Sequence, residues 1–303
     1  MLKEGEKMEF KKAERKQSKL RLAMYGVSGS GKTYSSLLLA KSLGSKIALV
    51  DTEFGSANKY ADIFDFDSLD LEQPTIQNVC KAIQLARGYD VLIIDSLTHA
   101  WKELCAEIDK LANSKYAGNS WRAWSEGTPL QSLLIQSILS FPGHIIVTMR
   151  ADTNWTTTTN DKGKLQPVRI GEKPSQGKGI EYEFDMLIQV HNNHKGEVLK
   201  SRVIDPETKQ NRYQDKIVDL DETFADGLAL WLNTGAVAEK SETELKTELI
   251  NKMKGFGYNP KSFCDFIKQQ YDVEFNYDTL KVLLEDNNKF NEWALAYDKF
   301  LGN

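Results

Sequence analysis

Residues 26–33 read Gly26-Val27-Ser28-Gly29-Ser30-Gly31-Lys32-Thr33, a G-x-x-x-x-G-K-[ST] pattern. Leu20–Tyr25 ahead of it is an apolar run short enough for a buried strand, and Ser35–Ala40 beyond it continues as a helix. A strand, a Gly-rich turn and a helix in that order restrict this chain more than any other feature. Gly26, Gly29 and Gly31 let backbone N–H groups, with those of Ser28 and Ser30, wrap a phosphate at a helix N-terminus, and Lys32 reaches the terminal oxygens. Thr33 offers a hydroxyl to Mg²⁺.

The remaining pattern extends the same architecture. Ile47–Asp51, Val91–Asp95 and His144–Thr148 are nearly all apolar, and helical spacing recurs at Thr75–Arg87, Leu97–Leu111 and Leu130–Leu139. Apolar strands alternating with helices predict an α/β fold whose mainly parallel central sheet is covered on both faces. Asp95 ends its strand as a Walker-B-like carboxylate that orients Mg²⁺, and Ser96 either caps the next helix or serves the site. Glu53 follows another strand end, at the sheet edge where open α/β sheets bind ligands, and is the candidate to activate water. Two further strands, Phe184–Val190 and Glu197–Val203, flank a turn over residues 191–196, and a helix near Phe224–Leu232 stops at Gly235. From Ser241 the texture is helical: a capping-box spacing at Ser241–Glu244, a stop at Gly255, an Asn259-Pro260 start, and amphipathic stretches near Leu280–Leu284 and Phe290–Leu301. Phe263, Phe266, Trp293 and Tyr297 fall at core spacings. The expected organisation is a basic arm (1–18), an α/β core (19–235) and an all-helical C-terminal domain (241–303).

Charge is informative by segment. The whole chain is at −4, with 39 Lys and Arg against 43 Asp and Glu. The arm is net basic, whereas residues 241–303 hold eight Lys against eleven acids, net −3. Ala151–Ile180 reads as about 30 residues of irregular chain. From Arg150 to Lys178 this segment carries Arg150, Lys162, Lys164, Arg169, Lys173 and Lys178 against Asp152, Asp161 and Glu172, net +3. Trp155 adds a stacking group and Thr156–Thr159 add hydroxyls. Cations beside an aromatic suit sequence-tolerant binding of single-stranded DNA. Lys115–Arg122, with Tyr116 and Trp121, is a weaker second candidate. No run approaches the roughly 18 apolar residues of a membrane span. The charged start is unlike a secretory signal, and Cys80, Cys105 and Cys264 read as thiols of a reducing compartment. His191 and His194 have no further ligands nearby for a metal, and no nucleophile elbow is present.

The P-loop, Asp51-Thr52-Glu53 and Leu92–Ser96 are similar to the RecA-type ATPases. Arg21–Gly26, Thr148–Asp152 and Glu181–Asp185 look like phage-encoded nucleotide-binding proteins, little more than a RecA core, that are grouped with phage single-strand annealing proteins. The resemblance spans about residues 8–205. It implies that Glu53 activates water and that Lys200 and Arg202, in Lys200-Ser201-Arg202, enter a neighbouring subunit's site as basic fingers. It also implies that the 151–180 segment is a DNA loop. RecA has a Gln after the strand matching residues 144–148; here Thr148, Met149 and Arg150 stand there, leaving Thr148 or Arg150 to sense the γ-phosphate.

The resulting expectation is an oligomeric ATPase, filament or ring, that binds ATP and Mg²⁺ and is stimulated by single-stranded DNA. It would anneal or pair strands in a bacterial host's cytoplasm, with a single-strand binding protein or another partner met through the C-terminal domain. A nucleotide-gated interaction switch that never touches DNA, and a P-loop small-molecule kinase, are the competing expectations.

Overall fold

The computed structural model describes residues 10, 12–159, 164–236 and 242–302. Contacts divide the chain into two units that meet in sequence at Gly235/Ala236. The first begins with β1 (Arg21–Gly26), α1 (Lys32–Leu43), β2 (Ile47–Asp51), β3 (Asp67–Asp70), α2 (Ile76–Leu85) and β4 (Val91–Asp95). It continues through α3 (Leu97–Lys115), α4 (Ser120–Leu139), β5 (His144–Thr159), β6 (Leu165–Pro174), β7 (Met186–Val190), β8 (Lys195–Ser201), β9 (Lys216–Asp219) and α5 (Glu222–Leu232). The described strands form one sheet in the order β3-β2-β4-β5-β1-β7-β8-β9, with β6 paired to β5 off that path. Strands β3 to β7 along the order run parallel, and β8 and β9 return antiparallel.

Alternation along the strands feeds two cores. Ala23, Tyr25, Leu92, Ile94 and Ile145 pack with α2, α3 and α4 on one face. Leu22, Met24, Leu49, Ile93 and Ile146 pack with α1 and α5 on the other. Every residue of β1, β2 and β4 is buried, which is why these strands read as unbroken apolar runs. The expected fold class is met: an α/β P-loop NTPase core with a mainly parallel sheet.

Two expectations need correction. Ala151–Ile180 is not irregular: β5 runs on past its parallel partners to Thr159, and β6 folds back on it from Ala151↔Pro174 to Thr159↔Leu165. Thr153 and Thr156–Thr159 favour extended backbone, but a two-stranded ribbon beyond the sheet buries little, so no core pattern announces it. The second correction is α4, expected over Leu130–Leu139, which instead starts at Ser120 and runs through Gly127 and Pro129. A side chain at Gly127 would meet Trp124 and Ile108, so close packing of α4 on α3 requires glycine there.

His144, at the start of β5, is 5% exposed and accepts a hydrogen bond from Leu20 N–H at Nδ1 (3.0 Å). Burial, reinforced by Lys19 and Arg21, pushes its imidazole down to about 4. An unfolded chain's imidazole protonates near pH 6.5, so the stability gained from the neutral ring is complete above that pH and is lost as pH falls toward 4. Between pH 7.5 and 5 this group alone should remove about 2 kcal/mol of stability. His144→Asn keeps an acceptor for Leu20, and urea unfolding at the two pH values should show the variant losing about 2 kcal/mol less than wild type. Equal losses would refute the assignment.

The second unit holds α6 (Glu242–Gly255), α7 (Pro260–Tyr271), α8 (Tyr277–Glu285) and α9 (Asn287–Leu301). Asn259 caps α7 with Pro260 in its first turn, and Asn276 and Asp286 cap α8 and α9. Leu249, Met253, Phe263, Leu280, Trp293 and Tyr297 share its core, with Phe266 packed against it. Ser241, expected to open a capping box, lies outside the described residues. Among the described residues no helix is long and apolar enough to cross a membrane.

Candidate nucleotide site

The P-loop links β1 to α1. Gly29 (φ 78°) and Gly31 (φ 94°) adopt left-handed backbone, and a Cβ on Gly26 would lie 2.3 Å from the Val190 carbonyl oxygen. Lys32 follows Gly31 directly, and its ammonium donates to the carbonyls of Gly26 (3.1 Å) and Val27 (2.8 Å). Burial pushes its pKa down, opposed by the charges of Asp95 and Glu53.

Parallel pairing of β4 with β2 and β5 brings the next groups to the same end of the sheet. Thr33 Oγ1 donates to Asp95 Oδ2 (2.5 Å), and the buried Thr148 hydroxyl donates to Asp95 Oδ1. Desolvation pushes the Asp95 carboxyl up, while the two hydroxyls pull it down. A hydroxyl and a carboxylate joined at the first turn of the P-loop helix are suitable donors for Mg²⁺, which relies on phosphate and water for its remaining ligands.

Glu53 is positioned by Asp51. The buried Asp51 carboxylate accepts from the N–H groups of Glu53 and Ala57, curling the loop so that Glu53 turns back toward the phosphate cradle. Arg150 then meets Glu53, with Nε at 3.1 Å and Nη2 at 2.9 Å from Oε1. Arg150 N–H also donates to Thr98 Oγ1 (2.9 Å), and Thr52 Oγ1 lies 2.7 Å from His99 Nδ1. Burial, then the Arg150 charge, lowers the His99 pKa. Lys32, Thr33, Glu53, Asp95 and Arg150 line one cavity of about 600 Å³, with Tyr34, Lys59, Tyr60 and His194 among its other walls. That volume suits a nucleotide-sized ligand.

A family model described as an AAA domain matches residues 18–214, about two thirds of the chain. The chain belongs to the AAA-domain family. It is therefore a nucleotide-binding P-loop ATPase. No curated protein matches its sequence.

Within this AAA domain the expected site residues separate into groups. Ser28, Gly29, Gly31, Lys32, Thr33, Glu53 and Asp95 line the cavity together, and Gly26 and Ser30 belong to the same loop. Arg150, counted among the DNA candidates and offered with Thr148 as a γ-phosphate sensor, lines the nucleotide cavity. Lys200 and Arg202 are remote from their own P-loop. Lys200 pairs with Leu187 at the start of β7, the opposite end of the sheet from Val190, and donates to the carbonyls of Glu181 (3.1 Å) and Tyr182 (2.7 Å). Arg202 pairs with Asp185 (3.1 Å). Lys164, Lys173 and Lys178 are exposed, while Lys162 lies outside the described residues. Trp155 and Arg169 face each other in the β5–β6 backbone register. Of Lys115–Arg122, Trp121 is exposed and Lys115 lies over the Tyr116 ring (5.3 Å).

His191 Nε2 lies 3.0 Å from Glu197 Oε2, and His194 reaches the P-loop. Sequence reasoning passed over it. The available signal was topological: a strand parallel to β1 must deliver its following turn to the P-loop end of the sheet.

Proposed function

We propose that this ATPase binds ATP with Mg²⁺ and single-stranded DNA, works as an oligomer, and promotes phage-type annealing or strand pairing. The loop N–H groups and Lys32 hold the phosphates, and Thr33 and Asp95 hold the metal, which supplies charge neutralisation across the terminal phosphates. Glu53 accepts the proton of the attacking water. Arg150 orients the Glu53 carboxylate through its guanidinium and lines the same cavity. Lys200 and Arg202, unable to serve their own P-loop, act on the site of a second copy.

The observation that carries the DNA assignment is continuity of β5. Its residue Arg150 sits against Glu53, and the same strand runs directly into a ribbon bearing Lys164, Arg169 and Lys173. A cationic ribbon suits a phosphate backbone, and a strand shared with the cavity links ligand binding there to Glu53 through the Arg150 ion pair. The test is fluorescence anisotropy of a labelled oligonucleotide with ATP, titrated against salt. Charge reversal at Lys162, Lys164 and Lys173 should weaken binding by at least about tenfold and reduce the salt slope by roughly one per lost phosphate contact. Affinity equal to wild type in the variant would take the ribbon out of DNA binding, and no salt-dependent oligonucleotide binding by wild type would favour a nucleotide-gated interaction switch.

A further inference from the structure

The turn between β7 and β8 is fastened to the P-loop. His191 N–H donates to the Lys195 carbonyl (2.9 Å), and His194 N–H to the His191 carbonyl (2.9 Å). Within this turn His194 holds left-handed backbone (φ 63°), a conformation that hairpin turns usually assign to Gly or Asn. Asn192 and Asn193 stand immediately before it, so this composition has better candidates for that backbone than a histidine. A side chain kept at a disfavoured φ calls for an explanation in what it touches.

It touches the P-loop at one peptide. His194 Nδ1 lies 3.0 Å from the Ser30 carbonyl oxygen. A carbonyl only accepts, so Nδ1 carries the hydrogen. Ser30 is fully buried, and its own Oγ has no hydrogen-bond partner among the described residues, so its side chain does not fix this peptide. Across a planar trans peptide the Ser30 C=O and the Gly31 N–H point in opposite directions. Holding the carbonyl toward the imidazole therefore turns the Gly31 N–H away from it. The fit is close on both sides, since a Cβ on Gly31 would lie 2.9 Å from His194 Nδ1. Gly31 immediately precedes α1, where a backbone N–H serves an anion best.

We propose that His194 is a positioning residue for nucleotide binding: its ring N–H pins the Ser30–Gly31 peptide so that the Gly31 N–H is presented to the nucleotide phosphates. The proposal rests on the P-loop as the nucleotide site and adds to it a residue about 160 positions away in sequence. It also gives the backbone outlier a role, because this turn sets the imidazole against the Ser30 carbonyl.

The experiment measures the affinity of the full chain for ATP with Mg²⁺, alongside thermal melting of the free protein. His194→Ala should raise Kd about tenfold, the value of one well-placed N–H to a charged phosphate. His194→Gly relieves the left-handed backbone, so its melting temperature should hold or rise while Kd still rises about tenfold. His194→Asn should restore affinity to within about threefold of wild type, because its Nδ2–H is attached to Cγ as the imidazole Nδ1–H is and Asn tolerates this φ. For all three, KM should carry the change and kcat should stay within about threefold. Wild-type affinity in the Ala and Gly variants, or an Asn variant as weak as Ala, would overturn the proposal. Weak binding in the His194 variants beside wild-type binding in Lys32→Ala would overturn instead the P-loop reading beneath it.

Discussion

Lys32→Ala should lose nucleotide binding by about 100-fold or more. Its ammonium is the one group of the P-loop side chains able to place a full positive charge among the phosphate oxygens, and hydrogen bonds to charged partners contribute about 1.5–3 kcal/mol each. The side chain already lies within the loop, bonded to the Gly26 and Val27 carbonyls, and burial lowers its pKa, so a phosphate would meet an ammonium largely stripped of water. Removing it leaves those two carbonyls without that donor, and a modest fall in melting temperature should accompany the loss. Titration with a fluorescent ATP analogue checks the affinity, and melting separates it from unfolding. An alanine variant that binds within a few-fold of wild type would place the nucleotide elsewhere.

Glu53→Gln should behave in the opposite manner: nucleotide bound, turnover gone. The amide is nearly isosteric and can still accept from Arg150 through its oxygen, so the loop shaped by Asp51 should stay in place. What disappears is the proton acceptor, a change expected to lower kcat by about 10² to 10⁴. Phosphate release at saturating ATP, compared with Kd from the same titration, distinguishes the two parameters. A Gln variant with kcat within threefold of wild type would transfer the role of base to another group.

How much of this was legible in the sequence depends on how far each feature reaches along the chain. The P-loop, Asp95 and the buried strands are local: spacing and composition over five to eight residues contain their reasons. The position of Glu53 was also readable, because a residue following a parallel strand lands at the ligand edge. Its partner was legible only in part: Arg150 could be read both as a γ-phosphate sensor and as the first cation of a basic segment, and the pairing Gly26↔Arg150 between β1 and β5 places it beside the P-loop. The β5–β6 ribbon escaped for a different reason, since strands are recognised by burying one face, and residues 164–168 are all exposed. In α4, the first ten residues, which include Gly127 and Pro129, carry no clear apolar stripe, and the helix there is fixed by packing of Gly127 against Ile108 on α3. His194 is the furthest case, because its partner Ser30 is distant in sequence and the bond exists only once β7 lies against β1.

The same distances bear on Lys200 and Arg202. In the sequence they look like a pair aimed at a phosphate, and in the fold they stand at the far end of β8, tied to the Glu181 and Tyr182 carbonyls and to Asp185. A role in hydrolysis therefore requires a second copy of the chain, which makes protein concentration an experimental variable.

The most direct test of the account is steady-state ATP hydrolysis per subunit, measured with and without single-stranded DNA across a range of protein concentrations. Turnover should rise steeply with concentration and rise further with DNA, both responses being lost in Glu53→Gln. Turnover per subunit that is the same at every concentration and indifferent to DNA would contradict it.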